Sequence, residues 1–255
     1  MANNTGFHTL LPYVEKIREV MVVENPVDIN HIFEEEGIRL LKELGWYGSI
    51  VVQYSDNFDK KIFEEVKEYG EREGLKIYTG VKIRAQSPRE LVRYVKKFRN
   101  KVEVILVEGG DLKINRQALE LHDVDILSTP ELNRRDSGLD HVLARFGSTH
   151  RVAIELNFKQ LLIKKNPYER ARLLWAFRRN MRLAKKFDTP VVLSSGAESI
   201  YDIKSPYDLR SFLNTLTEDP VYSKTIMEFP YKIAEYRAYL RRENVIRYGV
   251  EVVEE

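Results

Sequence analysis

The chemistry of this chain is concentrated between Lys159 and Lys186, where ten Lys or Arg residues stand against a single acid, Glu169. The segment carries +9 in a chain whose net charge is +2, so everything else sums to −7. On a helical wheel Arg178, Arg179, Arg182, Lys185 and Lys186 fall on one arc, with Arg172 at its edge and Trp175 among them. Arg178 and Arg182, and Arg182 and Lys186, are like charges four residues apart, which repel on a helix. A polyanion relieves that repulsion, and the planar guanidinium fork suits phosphate. Trp175 offers a face for a nucleobase or a partner protein. The same pattern also fits a solvated basic face, with Trp175 covered by a neighbouring loop.

Catalytic chemistry finds little support. The chain has no cysteine, which removes disulfides, thiolate metal sites and cysteine nucleophiles. The five histidines are His8, His31, His122, His141 and His150, and no two lie two or four residues apart, so no clustered metal-ligand spacing exists. Gly109-Gly110 is too short for a dinucleotide loop and reads as a turn. Glu108 and Asp111 form either an acid/base pair or a loop acid and a helix cap. Ser194-Ser195-Gly196 either offers backbone N–H groups to a phosphate or simply turns the chain at a rim.

The elements that must position these residues alternate. Short apolar runs at 18–23, 49–54, 75–83, 102–107, 124–127, 152–156 and 191–193 read as strands, and helical spacing separates them. Asn25-Pro26 ends the first strand, and Asp28 or Asn30 caps the helix that follows. The basic segment is predicted as one helix over 166–188, with Asn166 as cap, Pro167 at the first turn and Leu173, Leu174, Phe177, Met181 and Ala184 facing the core. Ser87 and Ser205 start further helices. Two helices are expected from Asp219 on, within about 219–243, followed by an acidic tail. Seven strands in about 195 residues favour a closed (β/α) barrel over an open sheet. One domain spanning 1–255 is the simplest organisation. No apolar run is long enough for a membrane span and no signal peptide is evident, so a cytoplasmic protein is expected.

Four stretches then carry a resemblance. They are Asn133-Arg134-Arg135-Asp136-Ser137-Gly138-Leu139-Asp140-His141-Val142-Leu143-Ala144-Arg145, Asn166-Pro167-Tyr168-Glu169-Arg170 with its basic helix, Val192-Leu193-Ser194-Ser195-Gly196-Ala197, and Asp202-Ile203-Lys204-Ser205-Pro206-Tyr207-Asp208-Leu209. Together and in order they resemble ribonuclease P protein component 3, the archaeal counterpart of the eukaryotic thirty-kilodalton ribonuclease P subunit. The resemblance covers about residues 125–216. It implies an irregular TIM-like (β/α) barrel related to the polymerase-and-histidinol-phosphatase barrels. It also implies a protein subunit of the ribonucleoprotein that removes the 5′ leader of precursor tRNA, with no active site in this chain. By the same resemblance the RNA, using magnesium, is expected to perform the hydrolysis, and the chain itself is expected to need no cofactor. The implied partners are ribonuclease P RNA, ribonuclease P protein component 2 in a two-plus-two assembly, the other protein subunits and, indirectly, precursor tRNA; a membrane is not among them.

Candidate RNA contacts follow from charge and from the matched motifs. Arg178, Arg179, Arg182 and Lys186 lead, with Arg170 and Arg172 near the helix start and Lys159, Lys164 and Lys165 extending the patch. Arg134, Arg135 and His141 belong to the first motif. Lys204 precedes a helix whose N-terminal N–H groups suit phosphate. Trp175 is a stacking or interface residue. Two readings stand beside this one: a metal-dependent phosphoesterase on the same barrel, and a protein–protein scaffold whose basic helix meets an acidic partner.

Overall fold

The computed structural model describes residues 23–242, 245–247 and 250–251. Seven parallel strands pair in sequence order: β1 (Val27–Asn30), β2 (Gly48–Tyr54), β3 (Lys76–Ile83), β4 (Val104–Glu108), β5 (Ile126–Ser128), β6 (Ala153–Asn157) and β7 (Val191–Ser194). Parallel strands need crossovers, and helices supply them. These are α1 (Glu35–Glu43), α2 (Lys60–Glu73), α3 (Pro88–Phe98), α4 (Leu112–Glu120), α5 (His141–His150), and the pair α6 (Lys159–Ile163) and α7 (Pro167–Phe187). After β7 come α8 (Pro206–Thr217) and α9 (Pro220–Leu240). A short antiparallel pair follows, β8 (Val245–Arg247) and β9 (Val250–Glu251).

The sheet curls into a nearly closed, irregular TIM-like barrel. Its seam lies between β7 and β1, where Gly196 N–H donates to Ile29 O at 3.1 Å and His31 N–H to Ala197 O at 2.7 Å. The Asp28 carboxylate locks the seam by accepting Ser195 N–H at 2.9 Å and the Ser195 hydroxyl, while Asn30 bonds both Asp28 and Ser49. Burial pushes Asp28 above its ordinary pKa, and the Ser195 and Asn30 hydrogen bonds oppose that rise.

The seam corrects two sequence expectations. Asp28 and Asn30 are fully buried strand residues rather than helix caps. The first described strand is therefore 27–30; the expected strand at 18–23 lies outside the described residues apart from Val23, as do His8 and most of the acidic tail. The helix after β1 starts at Glu35 with no side-chain cap.

Alternation along each strand sends one face inward. Val27, Ile29, Ile50, Val52, Tyr78, Val104, Leu106, Ile126, Ala153 and Val192 fill the barrel, and Ile233 and Ala234 of α9 join them. Helix α9 lies across the N-terminal end of the strands. Its Glu235 takes hydrogen bonds from Lys76 and the Tyr78 hydroxyl, and its Arg237 pairs with Asp125. One helix thus stands where two were expected. Pro230 sits inside it, without the N–H that would bond the preceding turn. Buried Ile226, Met227, Ile233 and Ala234 on either side keep the helix continuous.

Candidate nucleic-acid interface

The interface is built from the loop after β5, the α6–α7 corner and the outer face of α7. The loop, residues 129–140, is pinned from below. Asn115, fully buried in α4, donates to Pro130 O and to Gly138 O, both at 3.0 Å, and accepts Gly110 N–H at 3.0 Å. Gly138 has φ +68°, and a Cβ there would meet Pro130 O at 1.9 Å, so only glycine lets the loop fold back. Arg134 points into the loop and grips both Asp136 oxygens, at 2.6 and 2.7 Å, and also Gly110 O. Arg134 and Gly138 N–H hold Asp136 at a pKa of about 2. The loop then docks on α7: Asn180 Nδ2 donates to Ser137 O at 3.0 Å and Arg179 Nε to Ser137 Oγ at 3.2 Å. Two motifs some forty residues apart in sequence form one surface.

Helix α7 obeys its sequence pattern. Asn166 caps it by accepting Tyr168 N–H at 2.9 Å, and Leu173, Ala176, Phe177, Met181 and Ala184 are buried. The cations point outward. Arg172, Arg178 and Arg182 are exposed and make no ion pair among the described residues. Arg179 lies 5.8 Å from the Trp175 ring, which is 50% exposed, and Lys186 lies 5.6 Å from the Phe187 ring. Lys185 is neutralised by Asp219 at 2.6 Å. Arg178 and Arg182 also border a cavity of about 230 Å³ against Leu216 and Tyr222. Arg135 and His141 are exposed on the loop and at the start of α5, where Asp140 caps the helix.

Other predicted contacts are partly spent within the fold. Lys159 pairs with Glu198 at 2.5 Å. Lys164 lies 4.0 Å from Glu169, and Arg170 donates to Lys164 O at 2.8 Å. Lys165 is exposed. Lys204 stands apart: its ammonium bends onto the carbonyls of Tyr201, Asp202 and Ile203 at 3.1–3.4 Å. The N–H groups of Ser195 and Gly196 are consumed by the barrel seam, so that turn offers no phosphate cradle. Asp111 caps α4 and Glu108 pairs with Arg84, so these two do not form an acid/base pair.

The C-terminal mouth of the barrel holds residues the sequence did not single out. His31 follows β1 directly, stacks on Tyr54 with ring centroids 4.7 Å apart, and places Nδ1 2.6 Å from Val52 O. Burial, with Lys82 adding to it, lowers His31 to about 4. Burial and Glu198 push the Tyr54 phenol up to about 12, and Arg84 covers its ring at 3.7 Å. Ser128 Oγ, Glu131 Oε2, Glu155 Oε2 and Asn157 Oδ1 are buried without a hydrogen-bond partner. Among the described residues no cluster of three His, Asp or Glu can hold a metal ion. The described residues therefore do not assemble the donor set of a phosphoesterase metal centre. Asn180 was the one legible signal: a polar residue on the buried arc of a helix needs a partner from elsewhere.

The family described as RNase P subunit p30 matches residues 21–242. The chain belongs to the p30 family. It is 63% identical over 229 residues to ribonuclease P protein component 3 of Methanocaldococcus jannaschii, covering 90% of this chain and 98% of that one. It is 58% identical over 234 residues to the protein of the same name from Methanococcus maripaludis strain C6, covering 92% and 100%. A chain in the cryo-EM structure of archaeal ribonuclease P with mature tRNA superposes with a TM-score of 0.84 at 62% identity, covering 90% of this chain and 98% of that chain. On the outer face of α7, Arg172, Arg178 and Arg182 are exposed and free of ion pairs among the described residues. No helix among the described residues is long and apolar enough to cross a membrane.

Proposed function

We propose that this chain is a protein subunit of ribonuclease P that organises the catalytic RNA through the outer face of α7 and the adjoining loop. The observation that carries this reading is the match, over nine-tenths of the chain, to a subunit chain of archaeal ribonuclease P bound to mature tRNA. The exposed, unpaired Arg172, Arg178 and Arg182, with Trp175 beside them, supply the chemistry such a role needs: phosphate affinity and a stacking face. The chain contributes no active site; the RNA component and magnesium hydrolyse the phosphodiester. Arg135, His141, Lys165 and Lys186 extend the surface, while Arg134 and Arg179 hold it in shape. Its protein partners include component 2, in pairs.

The test is reconstituted cleavage of precursor tRNA with catalytic RNA, magnesium and component 2, with and without this chain. Cleavage should need the chain and should fail with Arg178, Arg179 and Arg182 changed to Ala in a folded protein. Equal rescue by that variant would leave the family membership intact and remove the basic face from the mechanism.

A further inference from the structure

Between α7 and the turn that joins α8 to α9 lies a cavity of about 230 Å³. Met181, Leu216 and Tyr222 give it an apolar wall, Arg178 and Arg182 line it from α7, and Glu218 lines it from the turn. We infer that this cavity takes the base of one unstacked nucleotide of the bound RNA, with Arg178 and Arg182 on the phosphates that flank it. The inference rests on the RNA-subunit reading and adds a base contact to a face otherwise suited to phosphates.

Three features of the cavity carry it. Its arginines are free: Arg178 and Arg182 are exposed and make no ion pair among the described residues. They stand one turn apart and repel each other, and a phosphate between them relieves that repulsion. Lys185, the remaining cation of the lining, is held by Asp219 at 2.6 Å with its ammonium 5.4 Å from the Tyr222 ring. The wall is apolar: Met181 is 3% exposed, and Leu216 and Tyr222 are partly buried. Phosphates alone would leave that wall in water, whereas a base has a flat face to lay on it. A void of ~150 Å³ accommodates benzene, so this one has room for the larger ring of a nucleobase. The third feature is Glu218, exposed and without an ion pair among the described residues. A carboxylate repels phosphate, but it accepts from the amino and imino N–H groups of a base edge. An acidic peptide would suit Arg178 and Arg182 and would set its own carboxylates against Glu218.

Trp175 extends the same track. It lies one turn before Arg178 and Arg179 on α7, is half exposed, and has Arg179 5.8 Å from its ring. It offers a stacking face to a second base beside the one in the cavity. Bases leave the stack for aromatic and apolar surfaces in single-stranded loops and bulges. The cavity therefore selects a nucleotide in such a segment over one inside a helix.

Chemical probing of the holoenzyme tests this. It would be assembled with the wild-type chain, with Leu216→Trp, which fills the cavity, and with Glu218→Lys, which adds a cation at an exposed position, folding being checked by circular dichroism. Dimethyl sulfate reads adenine N1 and cytosine N3, a carbodiimide reads guanine N1 and uracil N3, and hydroxyl radicals read the backbone. In the wild type one base of a loop or bulge should be protected. Its reactivity should rise about fivefold or more with either variant, while the backbone footprint persists. A face that binds only phosphates predicts the opposite for Glu218→Lys: a stronger backbone footprint and no change at any base. If Leu216→Trp does not fold, Glu218→Lys decides alone. If the backbone footprint persists and no base responds to the variants, the base pocket is overturned and the RNA-subunit reading stands. Release of component 2 with every base unchanged also overturns it, by making the cavity a protein contact. If the wild-type chain leaves no backbone footprint on the RNA, both fall.

Discussion

The two ends of this barrel follow opposite rules. At the N-terminal end the charges beside the strands are partnered: Asp125 and Lys76 meet α9, and Glu103 meets Lys67 and Thr79. Asp125, with its side chain 3% exposed, accepts from Arg99 at 2.7 Å, from Ile105 N–H at 2.7 Å and from Arg237. Burial alone would raise Glu235, but Lys76 and Tyr78 outweigh it and hold the carboxylate below its usual range. At the C-terminal end, buried Lys82 lies 5.9 Å from the Tyr54 ring, and four buried polar atoms have no hydrogen-bond partner among the described residues. The difference teaches where stability and function reside. Parallel barrels concentrate chemistry at the C-terminal ends of their strands, and here that end leaves buried polar atoms unpartnered while the other end pairs its buried charges, beside a cavity of about 570 Å³ lined by Asp125, Ile233 and Arg237.

The comparison breaks most sharply at Asp125. Asp125→Ala strands two guanidinium groups and a buried N–H, and should cost about 3–5 kcal/mol. Chemical denaturation measures it; a loss under about 1 kcal/mol would mean that the paired end is not where stability resides.

Glu131 sharpens the contrast through pH. Below about pH 4.5 it is protonated whether folded or unfolded. Between about 4.5 and about 8 the unfolded chain releases the proton and the folded chain retains it, so stability falls as pH rises and levels off above about 8. Glu131→Gln should therefore flatten that decline and be more stable than wild type at pH 9, by on the order of 3 kcal/mol. Superimposable pH profiles would count against a neutral Glu131. His31 acts in the other direction. Its lowered pKa makes stability fall as pH drops from 6.5 toward about 4, and His31→Gln should remove that acid-side loss in the same denaturation series.

The smallest effect belongs to Ser128. Its hydroxyl is buried and unpartnered, so Ser128→Ala should be neutral or stabilising, within about 1 kcal/mol. A larger loss by thermal melting would show that the open end also depends on its polar groups for stability.

Most of the scaffold was legible because it is written locally. The β2 to β7 strands and α7, with its Asn166 cap and Leu173–Ala184 core stripe, fall where apolar periodicity and capping residues put them. What escaped depends on distant partners. Asp28 and Asn30 look like helix caps until Ser195 and Ser49 are known to face them. Pro230 looks like a break until the packing of α9 under the barrel is seen. Ser194-Ser195-Gly196 looks like a phosphate turn until the seam claims its N–H groups. In the site, the charge asymmetry of α7 was plain, but which cations remain free was not: nothing local says that Arg134 turns inward or that Lys204 folds onto its own backbone. Glu131 carried no signal at all, because nothing near it in sequence says that it is buried beside Glu155 of β6.

The most direct test of the central claim is the salt dependence of RNA binding by the full chain. Wild type, the Arg178→Ala/Arg182→Ala double variant and Lys204→Ala would be titrated with ribonuclease P RNA across a range of salt. The account predicts that the double variant binds about 10- to 100-fold more weakly at low salt and that its log–log salt slope is shallower by roughly 1–2, as expected for two lost phosphate contacts. Lys204→Ala should bind within about twofold of wild type, because its ammonium is already engaged. Equal affinity and equal slopes for all three chains would contradict the claim that the outer face of α7 holds the RNA.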